Sequence, residues 1–64
     1  MPPHRNESNA AAVERTAYEL CSTGQFMEAY GFLNLARGKF ISPQELSDIQ
    51  DSLIEDFQGF RELM

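Results

Sequence analysis

The stretch GQFMEAYGFLNLA, residues 24–36, decides how this chain folds. It opens on a glycine, and apolar side chains then occupy most positions around the circumference of a helix. A helix that is apolar nearly all round is typical of a buried element. We therefore predict a helix from Gln25 to Arg37 at the centre of a small core. Gly24 is suited to end the helix before it, and Gly38 to end this one.

A second helical pattern precedes this stretch. Ser8 and Asn9 are both residue types that cap helix N-termini, so the helix is expected to begin at one of them. It then runs through AAAVERTAYELCS with small and apolar residues on one face and charged residues elsewhere. This is the pattern of an amphipathic helix. The inward face is predicted to carry Val13, Ala17, Leu20 and Cys21.

The clearest helix start in the chain lies in ISPQEL, residues 41–46. Ser42 is predicted as the N-cap, Pro43 as the first helical residue and Glu45 as the partner that completes a capping box. Ile41 and Leu46 are placed to form a hydrophobic staple around it. Apolar residues then recur at steps of three or four, which predicts one continuous amphipathic helix. These residues are Leu46, Ile49, Leu53, Phe57, Phe60 and Met64.

Together these patterns predict an all-α fold with a three-helix arrangement. The first two helices form a hairpin, and the third amphipathic helix packs against it. Links as short as those at Gly24 and Gly38 make successive helices roughly antiparallel. Residues 1–8, MPPHRNES, show no periodicity and are predicted as a mobile N-terminal tail. Residues 9–64 are predicted as a single helical domain.

The size of the chain limits the core that it can build. A domain of 64 residues buries only about 60% of the surface that its unfolded chain exposes. Domains this small usually gain stability from a disulfide, a metal or an oligomer interface. One cysteine and one histidine cannot form an intrachain disulfide or close a zinc site. We therefore expect no metal and no cofactor, and stabilisation by a partner protein or by a homodimer through the first two helices.

The net charge of -5 is concentrated in the last third of the chain. Acidic and basic residues are equal in number up to Ser42, whereas residues 43–64 contain six acidic residues and one basic residue, Arg61. A wheel of one continuous third helix places four of the acids opposite its apolar stripe: Asp48, Asp51, Glu55 and Glu62. Such a ridge either keeps the surface solvated or docks against a basic partner. Direct nucleic-acid binding is not expected, because it needs a basic surface.

Two further features concern location. The opening residues lack the apolar segment of a secretory signal. No run of about 18 apolar residues is present to cross a membrane. We therefore expect a cytoplasmic protein that does not span a membrane.

Catalysis requires several positioned groups, and the sequence offers few. His4 falls in the predicted tail, whereas Cys21 falls on the inward face of the first helix, so the two are not expected to meet. Cys21 is interpreted as a buried filler. The carboxylates of the third helix lack the spacing of a calcium loop, and the four glycines form no phosphate-binding loop. We expect a protein that is not an enzyme.

The opening stretch also resembles part of a tetratricopeptide repeat. The matching positions are a glycine, an aromatic residue two positions later, and small and large residues at helical steps: Ala17, Gly24, Phe26, Ala29, Leu33 and Ala36. The resemblance covers about 25 residues, and Pro43 comes later than the repeat's terminal proline. It implies a helical hairpin followed by a third helix, with protein or peptide binding as the role.

These observations favour a small non-enzymatic interaction protein, acting as an adaptor, co-chaperone or regulator. The alternatives are a structural or assembly subunit of a larger complex, and an acidic inhibitor of a nucleic-acid-binding protein. Apolar residues that two neighbouring helices cannot cover, together with the acidic ridge, form the predicted partner-binding set. That set comprises Tyr18, Phe26, Tyr30, Phe32, Leu35, Asp48, Asp51 and Glu55.

Overall fold

The computed structural model describes residues 8–63, and every regular element among them is a helix. This confirms the all-α class. The helices are α1 (Asn9–Ser22), α2 (Phe26–Ala36), α3 (Pro43–Asp56) and α4 (Gln58–Arg61). Most of the predicted tail, including His4, and the terminal Met64 lie outside the described residues.

Two serine side chains fix where helices begin. The Ser8 hydroxyl accepts a hydrogen bond from the Ala11 amide at 3.1 Å, so Ser8 caps α1. At α3 the predicted capping box is present: the Glu45 amide donates to the Ser42 hydroxyl at 3.1 Å. The Ser42 amide in turn donates to the Glu45 carboxylate at 2.9 Å. These hydrogen bonds satisfy backbone amides at the starts of α1 and α3 that have no partner within the helix.

Gly24 ends α1 in a Schellman motif. Its φ of +82° lies in the left-handed region that favours glycine. The Gly24 amide donates to the Cys21 carbonyl at 3.0 Å, and the Gln25 amide donates to the Leu20 carbonyl at 2.9 Å. These two bonds reverse the chain within three residues and set α2 beside α1. Gly38, with a φ of +84°, turns the chain between α2 and α3 in the same region.

The core lies where α1, α2 and α3 meet, and α4 closes it. Ala17 on α1 and Ala29 on α2 are both fully buried, and these two helices form the most extensive contact between the described helices. Small side chains allow the two helix axes to come close together. Leu33, Leu53 and Phe60 are the largest fully buried side chains, and each contributes roughly 1.5–3 kcal/mol of burial free energy. Cys21 is buried in the same cluster, as predicted.

The prediction of one continuous third helix was wrong. The helix ends at Asp56, because Phe57 adopts an extended backbone with φ of -131° and ψ of 108°. The chain then resumes as the short α4. This break brings the Phe57 ring against Tyr18 and Phe26, with ring centroids 5.5 and 6.4 Å apart. It also buries Phe60 completely.

Gly59 is the residue that lets α4 close the core. A Cβ atom built at this position would lie within 3.0 Å of three carbons of the Phe26 ring. The ring therefore occupies the space that any other residue type would need at position 59. This contact with a ring on α2 explains why a weak helix former stands in the middle of α4.

The prediction that α2 is buried on most of its circumference was also wrong. Its buried side chains are Ala29, Leu33 and Ala36, which form one face. The neighbours of this face are mainly α1 and α4, and they cover one side only. A chain of this size has too few elements to surround a helix, so the opposite side of α2 remains in solvent.

The two helical glycines provide a matched test of this packing. A methyl group added at Gly31 would meet nothing within 4 Å, so Gly31→Ala should stabilise the fold by about 0.5–1 kcal/mol through helix propensity. Gly59→Ala gains the same propensity but must displace the Phe26 ring, and overpacking costs about 1–3 kcal/mol. We expect a net loss of about 1 kcal/mol. Urea unfolding at low protein concentration measures both values.

A double-mutant cycle with Phe26→Leu identifies the cause. The smaller side chain should remove most of the cost of Gly59→Ala. Equal stability of the Gly31→Ala and Gly59→Ala variants would contradict this account of α4.

Candidate partner-binding surface

The outer side of α2 carries large apolar side chains that the described residues leave exposed or only partly covered. We define the α2 face as Met27, Tyr30, Gly31 and Leu35. Met27 and Leu35 are 71% and 73% exposed, and Tyr30 is 40% exposed. At about 100° per residue, Met27, Gly31 and Leu35 point away from the buried Ala29. Tyr30 lies at the edge of the face, with its ring centroid 6.5 Å from that of the buried Phe60. The helix therefore buries two alanines and one leucine and exposes Met27 and Leu35.

The surroundings of the α2 face differ along its length. Glu28 lies in the first turn of α2, whereas Arg37 and Lys39 follow its last turn. All three are exposed. The α2 face itself is uncharged, so the charges lie at its two ends with opposite sign. Phe40, in the loop after α2, adds another large apolar side chain that is 57% exposed.

The structure divides the apolar residues of the predicted partner-binding set into two groups. Tyr30 and Leu35 lie on the α2 face. Tyr18, Phe26 and Phe32 are half-buried and pack against the core. Because these three side chains pack against the core, less of their surface is exposed for a partner than the prediction assumed.

Two exposed apolar residues, Met27 and Phe40, are absent from the predicted set. For Met27 the sequence held a usable signal, because it lies opposite Ala29 on a helical wheel.

The acidic members of the set lie on α3. We define the α3 ridge as Asp48, Asp51 and Glu55. All three are exposed and stand opposite the buried Leu46, Ile49 and Leu53. Among residues 8–63, none of the three has an ion-pair partner, and Asp48 accepts a hydrogen bond from the side-chain Nε2 of Gln44 at 3.1 Å.

The other acids near the end of the chain do not extend this ridge. Glu62 follows α4, and the break at Phe57 means that the wheel of α3 no longer places it beside Asp48. The Glu45 carboxylate is committed to the capping box. Asp56 is committed to the side chain of Tyr18. The ridge is therefore shorter than the sequence pattern predicted.

A hydrogen bond between Tyr18 and Asp56 ties α1 to the end of α3. The Tyr18 hydroxyl donates to the Asp56 carboxylate at 2.6 Å, a length typical of a bond to a charged acceptor. This bond, together with burial and the negative charges of Asp56 and Glu14, raises the pKa of Tyr18 to about 12. Tyr18 is thus part of the structural frame beside Phe57.

No pocket and no group of three or more His, Cys, Asp or Glu side chains suited to a metal is found within residues 8–63. Burial raises the pKa of the Cys21 thiol above its ordinary value, which disfavours the reactive thiolate. Of the helices in this part of the chain, none is both long enough and apolar enough to cross a membrane.

The raised pKa of Tyr18 has a measurable consequence. In the Tyr30→Phe variant Tyr18 is the only tyrosine, and its tyrosinate absorbance should appear with a midpoint near pH 12. Because the folded pKa lies above the unfolded value of about 10, this bond stabilises the fold fully below pH 10 and is lost as the pH rises through 12. Replacing Asp56 with Asn should move the midpoint down towards the ordinary value. Circular dichroism on the same samples checks that the helices persist, and an unchanged midpoint would contradict the assignment.

Comparison with known proteins gave no further information on this surface. No protein-family model matches the chain, and neither curated proteins nor solved structures contain a significant match. The resemblance to a tetratricopeptide hairpin therefore stays a prediction.

Proposed function

We propose that this chain is a small, non-enzymatic interaction module of the cytoplasm that binds another protein through the α2 face. The exposure of Met27 and Leu35 is the observation that carries the proposal. Both side chains are exposed to solvent, although a chain this short needs most of its apolar side chains to build a core. Contiguous apolar surface of this kind marks interaction sites on soluble proteins.

The physical gain from covering this face is substantial. Removing a Leu or Met side chain from water is worth roughly 1.5–3 kcal/mol when its burial is complete. Methionine also adapts its shape to irregular partner surfaces. A helix or an apolar groove of a partner would fit the α2 face, because its exposed positions recur at helical spacing. The face could therefore contribute binding energy without any rearrangement of the core.

The α3 ridge supports a role in partner selection. Its carboxylates are exposed and have no basic neighbours paired with them in residues 8–63. Charges at the edge of an interface act mainly on the rate of encounter and on the choice of partner. The ridge therefore favours a partner with a basic surface near its apolar contact.

Affinity capture from the native host tests the α2 face directly. Leu35→Glu should reduce the captured partner by at least about tenfold, because a charge would have to be buried in the contact. Ala11→Glu is the matched control, since it adds the same charge at an exposed position of α1. It should leave capture unchanged. Equal capture by the two variants would exclude the α2 face as the binding surface.

The ridge is tested by reversing its charge. The triple variant Asp48→Lys, Asp51→Lys and Glu55→Lys should capture less of the same partner at low salt, and the difference should shrink as salt screens the interaction. Circular dichroism confirms that α3 remains folded. Capture that does not change at low salt would mean that the ridge only keeps the surface solvated.

A further inference from the structure

We infer that the α2 face also binds a second copy of this chain, with its own α2 antiparallel to the first. The inference rests on the proposed function, because it concerns the same exposed face. It is carried by the order of side chains along α2 and by the charges at the two ends of the helix.

The apolar residues of α2 are arranged symmetrically. Met27 and Leu35 lie four residues before and four residues after Gly31, on the ridge that steps of four residues trace along a helix. Two antiparallel copies that cross at Gly31 would therefore place each Met27 against the other copy's Leu35. A twofold axis generates this contact twice.

Gly31 is suited to the crossing point. It is exposed, and a Cβ atom added there would have open space around it within the chain. The absence of a side chain at the centre of the face allows two helix backbones to approach closely, as small residues do at other helix crossings. Met27 and Leu35 on either side would then fill the space between the helices.

The charges select the antiparallel orientation. Glu28 lies at the start of α2, and Arg37 and Lys39 follow its end. Antiparallel copies place the acidic end of one helix beside the basic end of the other. Parallel copies would place like charges together and align the two helix dipoles unfavourably. None of the three charges has an ion-pair partner among the described residues, so all are free to pair between copies.

The net charge of the chain does not oppose this contact locally. The α2 face is uncharged, and the α3 ridge belongs to a helix that packs mainly on α1 and α4 rather than on α2. The face is nevertheless small, because a helix of 11 residues is only about 16 Å long. An interface centred on it falls below the usual size of a stable complex, so the dimer should be weak and concentration-dependent.

Sedimentation equilibrium on the full chain measures the dimer. Because an interface this small gives a weak dimer, we expect the average mass to rise towards twice that of the monomer between about 10 µM and about 1 mM. Leu35→Glu should remain a monomer throughout, whereas Ala11→Glu should behave as the unmodified chain. A chain that is monomeric at about 1 mM overturns the inference.

Charge exchange tests the orientation. Glu28→Lys makes both ends of α2 basic, and the double variant Arg37→Glu and Lys39→Glu makes both ends acidic. Each should dimerise several-fold more weakly than the unmodified chain, and an equimolar mixture should recover the association as a heterodimer. Association by each variant alone that equals that of the unmodified chain overturns the antiparallel arrangement.

A cysteine placed at the crossing point tests the register. Gly31→Cys should form a disulfide-linked dimer under mild oxidation at least about tenfold faster than Ser47→Cys, an exposed control on α3. The reason is that only position 31 would face the same position of the second copy. The native Cys21 is buried and does not compete. Equal rates for the two variants would overturn the crossing at Gly31.

These results separate the inference from the proposed function. A monomeric chain whose Leu35→Glu variant still loses a captured protein overturns the dimer and leaves the α2 face as a site for a different partner. A chain that dimerises through α2, and whose captured proteins are the same with and without Leu35→Glu, supports the dimer and overturns the proposed role of the face in binding another protein.

Discussion

The packing of α1 against α2, with a fully buried alanine on each helix, is the constraint on which the rest of the molecule depends. Ala17 and Ala29 are fully buried, so the two helices can lie close together. Leu33 is the one large side chain of α2 that is fully buried, and Phe26 and Phe32 are half-buried at the edges of the inner face. Met27 and Leu35 are left on the outer side. The position of the α2 face follows from how the hairpin packs.

The second constraint is the extended conformation of Phe57. It ends α3 and turns α4 back across the hairpin, where Phe60 fills the remaining space in the core. Gly59 permits this contact because the Phe26 ring takes the place of its missing side chain. A straight helix could not bring Phe57 and Phe60 to α1 and α2 together. The core of this short chain is thus closed by a break in a helix.

Local sequence signals predicted the helix boundaries well, because capping is a property of neighbouring residues. The capping box at Ser42 and the helix end at Gly24 are both present. Phe57, at the break, packs on Tyr18 and Phe26, which lie far away in the chain, so no local signal contains these contacts. The exposure of α2 escaped prediction for a related reason. An apolar pattern tells how much surface prefers burial, but not how many neighbours are available to bury it.

The same distinction applies to the candidate site. Leu35 and Tyr30 belong to the predicted partner-binding set, and both are exposed, whereas their role in binding stays a prediction. The sequence could not separate the acids of the α3 ridge from Glu45 and Asp56, because the roles of the latter depend on hydrogen-bond partners. Glu45 had a local signal in the capping motif, whereas Asp56 meets a tyrosine 38 residues away.

The outward position of Met27 and Leu35 also bears on how such a protein can change over time. Substitutions at exposed positions away from caps and special backbone sites usually alter stability by less than about 0.5 kcal/mol. Under the proposed function, binding preference at the α2 face can therefore diverge among descendants of this chain while Ala17, Ala29 and Leu33 preserve the fold. Folding and the proposed recognition then depend on opposite sides of the same helix, so selection can act on one with little effect on the other.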